Sequence, residues 1–104
     1  MNEIELVELK DLLGLLFNPT HLKELKPVNY KYDELPKALR KLTELISLDL
    51  GGCDSLTTLP DSIDKLAQLT YLNIEWCRSL TTLPEPIYNL TQLNIIGELG
   101  SVDV

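Results

Sequence analysis

Residues 35–58, LPKALRKLTELISLDLGGCDSLTT, return almost unchanged as residues 59–82, LPDSIDKLAQLTYLNIEWCRSLTT. A third copy opens at Leu83 as LPEPIYNLTQLNIIG and then decays. A fixed period of 24 residues, with leucine on the same rungs each time, marks a chain that stacks equivalent coils on one another. No such coil can bury its own leucines. Each buries them against the leucines of the next coil, at about 25 cal/mol per Å² of apolar area removed from water.

Within the two clear repeats, Leu48 and Leu50 alternate with Ser47 and Asp49, and Leu72 and Ile74 alternate with Tyr71 and Asn73. Alternation with period two predicts strands over 46–50 and 70–74. Identical segments one coil apart run in the same direction, so the sheet is parallel. The return path reads Leu59, Pro60, Ile63, Leu66 and again Leu83, Pro84, Ile87, Leu90. That spacing predicts a short helical stretch, with Asp61 or Ser62 as its cap.

Three further segments complete a single domain. Residues 3–17, EIELVELKDLLGLLF, align Leu6, Leu9, Leu13 and Leu16 on one helical face. They predict an N-terminal cap helix over 3–18, stopped by Asn18 and Pro19. Residues 22–34 read as a degenerate coil, with Leu22, Leu25, Val28 and Tyr30 in the places of Leu42, Leu45, Leu48 and Leu50, an offset of 20. Residues 83–104 form a truncated repeat in which Glu98 and Ser101 replace Ile74 and Cys77. A last coil without a cap is expected to need a partner, a second copy of itself or further residues, because an exposed strand edge invites pairing.

Charge narrows the partner. The chain of 104 residues carries a net −7, which argues against a phosphate-backbone partner and hence against nucleic acid. Residues 22–42 hold six bases against three acids, whereas residues 43–104 hold two bases against nine acids. No apolar run approaches the roughly 20 residues of a membrane span, so no membrane partner is expected. Without a signal peptide, and with two cysteines only, the chain is expected in the cytoplasm.

The pattern Leu42-x-x-Leu45-x-x-Leu48-x-Leu50-x-x-Cys53-x-x-Leu56, repeated at Leu66, Leu69, Leu72, Ile74, Cys77 and Leu80, resembles the leucine-rich repeat family. Its length and the LTTLP stretch look most like the repeats of plant-type disease-resistance receptors and Ras-group leucine-rich proteins. The resemblance implies an α/β fold: a right-handed solenoid with a parallel sheet on the concave face and short helices on the convex face. It also implies protein recognition through the concave face. Two rivals are a self-assembling module, joined through the C-terminal edge near Ile95, Ile96 and Leu99, and the recognition arm of a larger receptor or effector.

No enzyme is expected, and neither a cofactor nor a metal. Cys53 and Cys77 fall on the rung where the family places Asn or Cys, a structural position. Their side chains point in parallel one strand spacing apart, about 4.8 Å, which suits neither a disulfide nor a metal. His21 stands alone and makes no catalytic triad. The candidate binding surface is the outward set of the strands, in columns Ser47–Tyr71–Ile95, Asp49–Asn73–Gly97 and Gly51–Glu75–Leu99, with Gly52–Trp76–Gly100 beside them. The expected partner-binding residues are Ser47, Asp49, Tyr71, Asn73, Glu75, Trp76 and Ile95. Trp76 and Tyr71 are types that anchor interfaces; the alternative is that Trp76 merely lies over neighbouring strand ends. Asp54 and Arg78, on equivalent rungs, are expected to form a surface ion pair.

Overall fold

The structure, a computed structural model, describes residues 3–7 (as backbone), 22–27 and 30–100. Among the described residues five parallel strands form one sheet in chain order: β1 (Glu3–Val7), β2 (Glu24–Pro27), β3 (Ser47–Asp49), β4 (Tyr71–Asn73) and β5 (Asn94–Ile96). Between the later strands the chain returns through 3-10 helices at Lys37–Lys41, Asp61–Lys65 and Glu85–Asn89. The expected short helices are thus single 3-10 segments. The predicted caps are also corrected. Pro60 is the residue before the second helix, no side chain caps it, and the Pro60 carbonyl accepts from Ile63 N–H at 3.0 Å.

The leucine spacing explains this geometry. In the return path the N–H of each apolar rung donates to the rung three residues earlier: Ile63 to Pro60, Leu66 to Ile63, Leu69 to Leu66. Cys77 donates to Ile74 and Leu80 to Cys77 in the same way. Bonds of this span give three residues per turn, so every third side chain is eclipsed. Spacing of three therefore turns each Leu, Ile or Cys toward the axis of the coil. Leu45, Leu48, Leu50, Leu56, Leu66, Leu72 and Leu80 are completely buried there. Leu83, Leu90 and Leu93 of the last coil are only partly covered.

The first coil and the last depart from expectation. Over Glu3–Val7 the predicted cap helix is instead a strand, with Glu3 opposite Glu24 and Ile4 opposite Leu25. The sequence there also alternates, Glu-Ile-Glu-Leu, and β-branched Ile4 and Val7 favour a strand. Pairing with β2 decides between two periodicities that overlap in this segment. The rest of the predicted helix lies outside the described residues.

In the degenerate coil Leu25 pairs with Leu48, an offset of 23 rather than 20. Leu22, Leu25 and Tyr30 thereby take the places of Leu45, Leu48 and Cys53. In the last coil the offset again falls to 23: Asn94 pairs with Tyr71, Ile95 with Leu72 and Ile96 with Asn73. One residue is missing between Leu93 and the strand. Ile95 therefore sits in the inward column, not beside Ser47 and Tyr71, and Ile96 rather than Gly97 stands opposite Asn73.

Candidate functional site

Where the strands end, polar side chains tie one coil to the next. The Asp49 carboxylate accepts from its own strand's exit, Gly51 N–H at 2.9 Å, and from the Asn73 amide at 3.0 Å. Asn73 repeats the motif, its carbonyl oxygen accepting from Glu75 N–H at 2.8 Å. Lys26 Nζ lies 3.9 Å from the other Asp49 oxygen, extending the ladder to β2. These bonds hold the bend after each strand. They also occupy Asn73, which is 9% exposed. Of the expected binding residues, Asp49 and Asn73 thus act mainly within the fold, while Ser47 and Tyr71 stand half-buried on the outward face. Ile95 is 36% exposed on β5, one of the two edge strands among the described residues.

The bend after β4 carries the least expected feature. Gly52 has φ 81°, a left-handed conformation natural to glycine, and its equivalent one repeat later is Trp76, with φ 62°. Left-handed backbone costs a residue with a Cβ roughly 1–2 kcal/mol. Trp76 adopts it and still leaves 70% of its surface exposed. The alternative of a ring lying over neighbouring strand ends does not describe this side chain. The Arg78 guanidinium lies 5.8 Å from the ring centroid, within cation–π range. Arg78 is thereby turned to Trp76, and the ion pair expected with Asp54 is not formed among the described residues.

Beside the ring an open groove of about 380 Å³ is walled by Glu75, Arg78, Glu98 and Leu99. Gly97, with φ 102°, makes the close approach possible, because a Cβ there would lie 2.7 Å from the Glu75 nitrogen. Gly100 lines the same groove as Trp76. Its N–H donates to the Leu80 carbonyl, and it packs on the Arg78 backbone. Arg78 and Glu98 were not legible as site residues. The available signal was at Trp76: a large residue replacing a glycine at a bend.

The cysteines hold internal rungs. Both are free and buried, and the Cys77 thiol donates to the Leu50 carbonyl at 3.0 Å. Burial, then the neighbouring Cys77, Asp49 and Asp54, push the Cys53 thiol up to about 12. Burial also raises Cys77. A thiol held protonated is a poor nucleophile and a poor metal ligand. Among the described residues no group of three His, Cys, Asp or Glu is placed to hold a metal. His21 lies outside the described residues. Tyr30, on the equivalent rung, donates its hydroxyl to the Glu34 carbonyl. Its burial, then Cys53, push that phenol up to about 12.

Parallel coils of near-identical sequence, each filled by leucines at spacings of two and three, define a repeat protein and fit a solenoid. A family model described as a leucine-rich repeat region matches residues 3–103. The chain belongs to the leucine-rich repeat family, whose domains generally mediate protein–protein interaction and are generally not enzymes. A comparison with curated proteins gives no match.

Proposed function

We propose that this chain is a non-catalytic recognition module that docks a protein partner on its outward sheet face and at the corner formed by Trp76. The observation that carries this reading is an exposed tryptophan held in a backbone conformation that its sister repeat gives to glycine. Unfavourable backbone of this kind persists where the surroundings impose it, and it concentrates at functional sites. Tyr71 and Ser47 extend the contact across the strands, Glu75 borders it, and the Asp49–Asn73 ladder fixes the bends that present it. A right-handed coil with this sheet on its concave side is the geometry that accompanies the reading. Free buried thiols at Cys53 and Cys77 favour a reducing compartment such as the cytoplasm.

Affinity capture from an extract of the source cells, with wild-type protein beside Trp76→Gly and Tyr71→Ala, tests the proposal. At least one protein should be retained by the wild type and depleted about tenfold or more by Trp76→Gly, as for the loss of an interface anchor. Equal retention on all three columns would remove the reading.

A second reading, self-association, has one observation in its favour. Ile95, Ile96 and Leu99 are all partly exposed on β5, an edge strand among the described residues, and the turn that follows it. An unpaired parallel edge of this kind is a template for another chain. Sedimentation equilibrium decides it: dimers that vanish on Ile96→Lys support the reading, and a monomer at high concentration ends it.

A further inference from the structure

The groove beside Trp76 has a chemistry that narrows the kind of partner, given the interaction reading above. Two carboxylates, Glu75 and Glu98, stand on its walls against one base, Arg78. The surrounding half of the chain, residues 43–104, holds nine acids and only two bases. Arg78 already lies 5.8 Å from the indole centroid, so the ring is placed where a guanidinium engages its π face. With 70% of its surface exposed, Trp76 has aromatic surface beyond the part that Arg78 covers. Leu99, also partly exposed, gives the aliphatic stem of a long cationic side chain an apolar wall.

We propose that this groove receives an arginine or lysine side chain presented by a basic segment of the partner protein. The charged head is held between the indole face and the Glu75 and Glu98 carboxylates. Glu75 is fixed for this role, since its backbone N–H is bound by Asn73 and its side chain is left to the solvent. An acidic or neutral segment meets the negative field of the groove without compensation, whereas a basic one is attracted by it.

The chain has a single tryptophan, so indole emission reports on Trp76 alone. Nona-arginine, nona-glutamate and a glycine–serine peptide are titrated into the folded protein at low and at high salt. The arginine peptide alone should give a saturable change that weakens with salt. Its affinity should fall about tenfold in Glu75→Gln/Glu98→Gln, and by less than about twofold in Asp61→Asn/Asp64→Asn, which removes the same charge from the return side. Circular dichroism melts establish that both variants fold. No saturable response to nona-arginine overturns the proposal, as does equal weakening in the two double variants. A Trp76 signal that follows protein concentration alone also overturns it, because the occupant is then a second copy. A partner captured through Trp76 but indifferent to Glu75→Gln/Glu98→Gln removes this inference and leaves the interaction reading standing. Capture independent of Trp76 removes that reading instead.

Discussion

A single bend position takes Gly52 in one repeat and Trp76 in the next, both at positive φ. A third residue with such backbone, Gly97, differs in its surroundings. A Cβ at Gly52 meets open space, whereas one at Gly97 runs into the Glu75 backbone. Gly52→Ala should therefore destabilise by about 1 kcal/mol, the conformational cost alone. Gly97→Ala should cost clearly more, because backbone must also move; urea unfolding of the two variants makes the comparison. The buried hydroxyl and thiols make a second prediction at this scale. Cys53 and Tyr30 are pushed up to about 12 from ordinary values of 9.0 and 10.0, so the folded state holds protons that the unfolded state releases first. Unfolded chains then bind fewer protons than native ones, and stability falls as pH rises. The stabilisation is present in full below about pH 9 and is lost from there toward pH 12. Thermal melts should show that decline, and a thiol reagent at pH 8 should label Cys53 and Cys77 only as fast as the fold opens.

At the scale of strands and turns, the ladder from Lys26 through Asp49 to Asn73 joins successive coils at the strand exits. Asn73→Ala leaves the Glu75 N–H without its acceptor and Asp49 without one donor. Both groups are only part-buried, so the loss should be about 1 kcal/mol, at the low end of the cost of a stranded buried group, which urea unfolding will read. Asn73→Asp should be worse at neutral pH and partly recover in acid, since it sets a second carboxylate against Asp49. The same elements show what the sequence made legible. The 24-residue identity of the two middle repeats defined their parallel pairing, because nothing else aligns them. Neighbouring coils were ambiguous for a physical reason. Leucines three apart, as in Leu22 and Leu25, align equally well after a shift of three, and the offset of 23 rather than 20 is that shift. Adjacent Ile95 and Ile96 satisfy either phase of alternation, so only the observed pairing shows that Ile95 takes the inward column. Glu3–Val7 carried helical and alternating patterns at once, and the partner strand chose between them.

Across the whole molecule, apolar burial runs as one continuous column from Leu22 to Ile87. Each coil is stabilised by its neighbours, so a defect in the middle is felt on both sides. Leu72→Ala should lose about 2–5 kcal/mol as a cavity opens between two coils, whereas the same change at half-covered Leu90 should lose less. Against that column, Trp76 and Tyr88 each leave 70% of their surface exposed, and of the two only Trp76 has its backbone held at positive φ, 62°. The recognition reading rests on this mismatch: the residue is retained at a cost to folding. Urea unfolding of Trp76→Gly tests it most directly. The account predicts a midpoint equal to or above that of the wild type, reflecting a gain in unfolding free energy of up to about 1–2 kcal/mol as the left-handed strain is relieved. A midpoint lowered by a similar amount would contradict it, because Trp76 would then be part of what holds the coils together.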